Sequence, residues 1–130
     1  IAITNVNWFN TQAASGKVLE FDFGSGASRV INEAKFMQST TDSHGVWQWQ
    51  GSNDNSTWTN IGSTFTLGGA TTQTITTLSG NSTGYRYYQV LGSSGNINSN
   101  PWIYTFLFKI SESTCTAGSG VGQQGRASIN

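Results

Sequence analysis

Apolar and polar positions alternate with a period of two along most of this chain. In residues 18–23, VLEFDF, Leu19, Phe21 and Phe23 fall on one side and Glu20 and Asp22 on the other. That is the signature of a strand with one buried face. The same pattern predicts strands at 3–9 (ITNVNWF), 29–38 (RVINEAKFMQ, with Ile31 and Phe36 inward) and 71–78 (TTQTITTL, with one solvated face). It predicts two more at 85–91 (YRYYQVL, with Tyr88 and Val90 inward) and 103–110 (IYTFLFKI, with Tyr104, Phe106, Phe108 and Ile110 on one face). Residues 47–62, WQWQGSNDNSTWTNIG, read as a hairpin. Trp47 and Trp49 alternate with Gln48 and Gln50, and Asn53 to Ser56 are turn formers whose short polar side chains bond nearby backbone. Thr57 to Ile61 then resume a β-rich run. Trp47, Trp49 and Trp58 are read as core, because Trp contributes more apolar area than any other side chain. No stretch sustains a 3.6-residue period. The nearest, Arg29 to Met37, is flanked by Gly/Ser and Thr runs that favour a strand.

Eight strands with turn signals every 8–12 residues predict an all-β fold, an antiparallel jelly-roll-like β-sandwich. A chain of 130 residues is long enough for one such core. The domain is expected over 1–112. Residues 113–130, rich in Gly, Ser and Gln, are expected to be a linker or a partner-docked extension.

Composition narrows the functional classes. Charged residues make up 9% of the chain and the formal net charge is zero. This argues against nucleic acid, which needs a basic footprint, and no apolar run is long enough to insert in a membrane. Surface polarity comes instead from Ser, Thr, Asn, Gln and Gly, a composition common on secreted, cell-wall and virion proteins. One cysteine, Cys115, excludes an intrachain disulfide and reads as a spare thiol rather than a nucleophile, since nothing links it to a histidine base.

Catalytic chemistry finds little to work with. The chain has one histidine, His44, and six acidic residues. Glu20, Asp22, Glu33 and Glu112 sit on predicted strands or strand ends without converging as an acid/base pair. No paired His, CxxC or acidic loop suggests a metal. GSG at 24–26 and GSSG at 92–95 lack the lysine and following helix of a phosphate loop. Asp22 and Arg86 are candidates for a partly buried pair tying two strands together. No cofactor is expected, and the chain is not read as an enzyme.

Taken in order, LEFDFGSG (19–26), WQWQGSNDNSTWTNIG (47–62), YRYYQVLGSSG (85–95) and KISE (109–112) resemble the discoidin, or coagulation factor type C, domains. These are galactose-binding-like β-sandwiches, and the likeness covers about residues 17–112. Its flavour is that of the variants in bacterial secreted proteins and bacteriophage structural proteins. The resemblance implies a non-catalytic module that binds sugars, lipids or proteins through loops at one end. The family's opening segment, which commonly helps form a calcium site, has only Trp8 to stand for its end, and the tail beyond Glu112 has no counterpart.

If successive loops alternate between the ends of the sandwich, 10–16, 39–45, 63–70 and 92–101 share one end. Loops 24–28, 54–56 and 79–84 share the other. The first set is longer and holds Asp42, His44, Asn96, Asn98, Asn100 and Trp102, the end at which family members bind. A sugar needs a flat ring against its hydrogen-rich face and planar amide, carboxylate or imidazole groups for its hydroxyls, and these six residues supply both. Five of them also have a plainer reading: Asn96, Asn98 and Asn100 in Gly/Ser loops as turn formers, Trp102 as a cap on the core, His44 as a solvated loop residue. The expected function is recognition of a cell-surface or polymeric glycan by an extracellular or virion assembly. The alternative is a structural virion or appendage subunit that meets neighbours, or further copies of itself, through 113–130.

Overall fold

In the computed structural model, residues 2–6, 12–98, 103–111 and 123–127 are described. They form eleven strands and no helix: Ala2–Val6 (β1), Gln12–Ala13 (β2), Val18–Asp22 (β3), Val30–Gln38 (β4), Ser43–Ser52 (β5), Thr59–Gly68 (β6), Thr72–Ile75 (β7), Tyr87–Ser94 (β8), Asn96–Ile97 (β9), Ile103–Ser111 (β10) and Gln123–Ala127 (β11). A five-stranded sheet runs in the order β1-β3-β8-β5-β6, and a four-stranded sheet in the order β11-β10-β4-β7. A two-stranded ribbon, β2-β9, stands apart. Every pairing is antiparallel.

The two sheets form a β-sandwich. Phe21 of β3 meets Phe106 and Phe108 of β10 edge-on, with ring centroids 5.4 and 4.9 Å apart. Trp49 of β5 meets the same two rings at 6.2 and 6.0 Å. Such edge-to-face contacts are the favoured aromatic geometry. Leu19, Phe21, Ile31, Phe36, Trp47, Trp49, Tyr88, Val90, Phe106 and Phe108 are all fully buried, so the alternation in the sequence maps onto the interior. Trp58 departs from that reading: it precedes β6 in the hairpin connection and is only half-buried.

The outer face of the five-stranded sheet carries a lattice of polar side chains. Gln89 Nε2 donates to Gln50 Oε1 at 2.7 Å, and Gln50 Nε2 donates to Asn60 Oδ1 at 2.8 Å. On the neighbouring strands Thr4 Oγ1 donates to Glu20 Oε1 at 2.6 Å. One row of amides, hydroxyl and carboxylate therefore crosses all five strands, a sheet-wide version of cross-strand pairing. Asp22 and Arg86 form the expected pair, with two parallel hydrogen bonds of 2.8 and 2.9 Å. Arg86, with help from the Gly24 amide and against partial desolvation, holds the Asp22 carboxyl below its ordinary range.

Four stretches differ from the sequence reading. β5 begins at Ser43, inside the expected loop. β6 continues to Gly68 through residues expected to be irregular. Its alternation is broken by a bulge, since Trp47 pairs with Phe65 but Trp49 with Ile61. β8 runs on to Ser94, and Asn96–Ile97 pairs with β2, so 92–101 is not one loop. Residues 123–127, within the expected extension, pair with β10 from Phe106 to Ile110.

Candidate functional site

The strand directions gather the connections into two groups. The described parts of the β1–β3, β4–β5, β6–β7 and β8–β10 connections lie at one end, and the β3–β4, β5–β6 and β7–β8 connections at the other. This is the grouping that simple alternation gives.

At the first end, the connections are braced against each other by main-chain bonds. Ala14 N donates to Gly95 O at 2.9 Å, Gly16 N to Gly92 O at 3.0 Å and Gly92 N to Lys17 O at 2.8 Å. The packing is close enough that a Cβ on Gly92 would overlap the Ala14 carbonyl oxygen. Residues 12–17 and 92–97 are thereby locked over the end of the five-stranded sheet.

His44 is not on that surface. It is 0% exposed, packed edge-on against Phe36 at 6.2 Å, with Nε2 2.6 Å from Gln38 Oε1. Its expected place among ligand contacts is therefore corrected: a fully buried imidazole does not touch a solute outside. The cause is Gly45, whose φ of 85° shifts the phase of β5, so that His44 and Trp47 both reach the interior. Gln38 Nε2 donates to Asp42 O and Ala70 O, each at 3.0 Å, and Trp47 Nε1 donates to His44 O at 2.8 Å. The His44–Gln38 pair thus pins two connections from below.

Burial pushes the His44 imidazole below its ordinary value of 6.5, opposed by the Asp42 charge and a hydrogen bond with the Asn98 main chain. The unfolded chain takes up this proton as pH falls through about 6.5, and the folded chain resists it until lower pH. The stabilisation is complete above that value and declines below it, by at most about 1.4 kcal/mol per pH unit. Urea unfolding at about pH 7.5 and about pH 5.5 is expected to show this loss, and His44→Gln is expected to flatten the slope, because no other histidine is present.

The remaining expected residues are distributed as follows. Asn96 is exposed on β9. Asn98 is exposed, and its Nδ2 donates to Ser43 O at 2.7 Å, so part of its amide is spent holding β5 to the β9 segment. Asp42 is half-buried; its main chain accepts from Gly69 N at 3.0 Å and its amide donates to Thr40 Oγ1 at 3.3 Å. The structure brings Asp42, Asn96 and Asn98 to one end, with His44 beneath them. Asn100, Trp102 and Cys115 lie outside the described residues.

The opposite end has a polar organisation that residue types alone did not single out. Asp54 Oδ1 accepts from Ser56 N, Thr57 N and Ser52 Oγ at 2.9, 2.7 and 3.0 Å. The two amides and the hydroxyl hold its carboxyl down to about 2, and the turn carries Asn55 at φ 57°. Asn81 Nδ2 donates to Ile31 O at 3.0 Å and to the Tyr88 hydroxyl at 3.3 Å. That hydroxyl, kept protonated by burial, donates to Arg29 O. A buried tyrosine three residues after Tyr85, and an Asn in a turn, were the visible signals; their meeting was not.

Of the acidic side chains, Glu20, Asp22 and Asp54 are engaged in the structural bonds just described. Among the described residues no group of three His, Cys, Asp or Glu is placed to hold a metal ion, and no helix is long and apolar enough to cross a membrane. Comparison of the chain with protein-family models, with curated proteins and with solved structures returned no match.

Proposed function

We propose that this protein is a non-catalytic recognition module for a neutral cell-surface or polymeric glycan, working in an extracellular or virion assembly. The observation that carries the reading is the braced end bearing Gln12, Asp42, Asn96 and Asn98. There residues 14–17 are tied to 92–95 by main-chain bonds before any ligand arrives, and the exposed side chains of Gln12, Asn96 and Asn98 are amides. A preformed surface loses little conformational entropy on binding, and planar amides suit sugar hydroxyls. The low charge of the chain favours an uncharged partner. The finer fold assignment, a jelly-roll of the galactose-binding-like, discoidin type, belongs to the same proposal. It is supported by the motif segments falling on β3, on the β5–β6 hairpin and on β8.

The test is a glycan array probed with the intact chain. Binding to a neutral glycan is expected, and Asn96→Arg is expected to weaken it at least about tenfold by placing a bulky charge on the exposed ribbon, with the circular dichroism spectrum unchanged. A folded chain that binds no glycan overturns the reading.

One observation favours a second reading, assembly through the termini. β1 edges the five-stranded sheet and β11 the four-stranded sheet. Since β3 faces β10, and β6 is tied to β7 by Gln73 Nε2 donating to Thr66 O at 2.7 Å, both terminal strands lie on the same lateral side. Edge strands offer unpaired backbone to neighbours. Under this reading the chain forms a fixed oligomer by light scattering, and removal of residues 123–130 dissolves it; a monomer under all conditions overturns it.

A further inference from the structure

His44 is fully buried, and the polar groups around it come from three separate segments of chain. The Gln38 side chain sets its tautomer. Gln38 is itself buried, and its Nε2 is taken up by two carbonyls, Asp42 O and Ala70 O. Its Oε1 is left to face the imidazole, so His44 Nε2 carries the hydrogen and donates it across 2.6 Å. The Asn98 main chain meets the same ring. Asn98 Nδ2 then donates back to Ser43 O. One imidazole thus gathers residues 38–44, 68–71 and 96–98.

Glycines border these segments. Gly45 follows His44 at φ 85°, Gly68 and Gly69 stand at 91° and 86°, and Gly95 precedes Asn96 at 78°. All four occupy the left-handed region that glycine enters without steric cost, and hinge motions are absorbed at a few such element-terminal positions. The packing is close, since a Cβ at Gly68 would overlap Asp42 O and press on His44 Cδ2. A displaced ring therefore removes the support that the three segments share. The centre of the sandwich does not depend on it. Phe21, Trp49, Phe106 and Phe108 make their contacts with one another.

This place resists a second proton on the ring. Glu33 and Lys35 of β4 alternate with the buried Ala34 and Phe36, and Lys109 of β10 pairs in register with Glu33, so these three charges stand on the outer face of the four-stranded sheet. β5, β6, β8 and β9 contain no Asp, Glu, Lys or Arg. Asp42 is the charge that acts on the ring. One carboxylate and one main-chain bond offset part of the desolvation of an imidazolium, and burial still wins, leaving the ring neutral. A conformation in which the ring reaches water takes the proton at its ordinary 6.5. Acid favours that conformation by about tenfold for each pH unit below about 6.5, until the buried ring itself titrates.

We propose that His44 is an acid-released latch. On taking a second proton the ring leaves its place beside Gln38, and the end of the sandwich built from 39–44, 68–71 and 96–98 opens while the core between the sheets stays folded. Asp42, Asn96 and Asn98 then lose their common placement. The protein presents that surface at neutral pH and withdraws it in acid. The latch is independent of what the surface binds, and its test uses no ligand.

The experiment is hydrogen exchange on the full chain from about pH 7.5 to about pH 5, corrected for intrinsic exchange rates. The reporters are Gly69 N, which donates to Asp42 O, and Gln38 N, which donates to Thr71 O, with the Trp47 indole N–H, which donates to His44 O. Their opening is expected to grow about tenfold between about pH 6 and about pH 5. At the acid end it is expected to exceed opening in the ladders of β3, β8 and β10 by at least about tenfold. The His44 ring resonances, a readout that needs no variant, are expected to titrate in step with the reporters. His44→Gln, neutral at every pH, is expected to remove the rise. Reporters that ignore pH, reporters that open only together with the core ladders, a ring that stays neutral while the reporters open, or a His44→Gln chain that keeps the rise each overturn the proposal.

Discussion

Trp49→Ala is expected to destabilise the protein by about 4 kcal/mol, the largest loss of any single truncation on the five-stranded sheet. Trp49 is fully buried, at the point where both sheets contribute rings. Phe21 and Phe65 flank it at 6.4 and 6.5 Å on its own sheet, and Phe106 and Phe108 close it from the other. Alanine leaves a cavity that four rigid rings do not refill, so the transfer loss and the cavity loss add. Trp58→Ala is expected to cost only about 1 kcal/mol, because that ring keeps part of its surface in water. Trp49→Phe is expected to fall between the two. It keeps an aromatic ring and removes Nε1, a buried donor without a hydrogen-bond partner, and that removal offsets part of the lost volume. Urea unfolding followed by circular dichroism reads all three. Equal losses at Trp49 and Trp58 would show that the hairpin, rather than the inter-sheet core, is the unit being stabilised.

Gly62→Ala is expected to cost about 3 kcal/mol, with its effect reaching across the sandwich end. Two terms add. The φ of 69° is a left-handed conformation that costs a side-chain-bearing residue about 1 kcal/mol or more. The new methyl also meets the Thr77 carbonyl, which is main chain and has no rotamer to give, so strand or connection must shift. Gly26→Ala is the control. Its φ is 74°, but a Cβ there has open space, so only the conformational term of about 1 kcal/mol applies. The difference between the two midpoints measures the contact alone. If the two variants lose the same stability, β6 and the β7–β8 connection are not in the close apposition described.

Much of the architecture was legible because a sandwich writes its interior into the chain with a period of two. Leu19 and Phe21, Trp47 and Trp49, Tyr88 and Val90, and Phe106 and Phe108 each announced a buried face, and each lies in the core. The Asp22–Arg86 pair was legible from opposite charges on neighbouring motif strands. The alternation of the connections between two ends was legible from short links between antiparallel strands.

What was not legible lies where the period slips. His44 reads as a loop residue beside a glycine. Gly45 instead places a bulge in β5 and turns the imidazole inward, a change of phase that only the pairing of β5 with β6 and β8 reveals. The bulge in β6 hid a continuous strand in the same way. β11 carries no hydrophobic period, since QQGRA offers no apolar alternation; backbone pairing with an already formed β10 makes it a strand. By itself, then, the sequence determined most of the apolar side chains that would be buried, Trp58 excepted, and that they would be buried between sheets, because hydrophobic burial acts on each residue's own alternation. Only the tertiary structure decided which polar groups remain exposed together, because that depends on bulges, edge pairing and close main-chain contacts, which belong to pairs of distant strands and to no single stretch of chain.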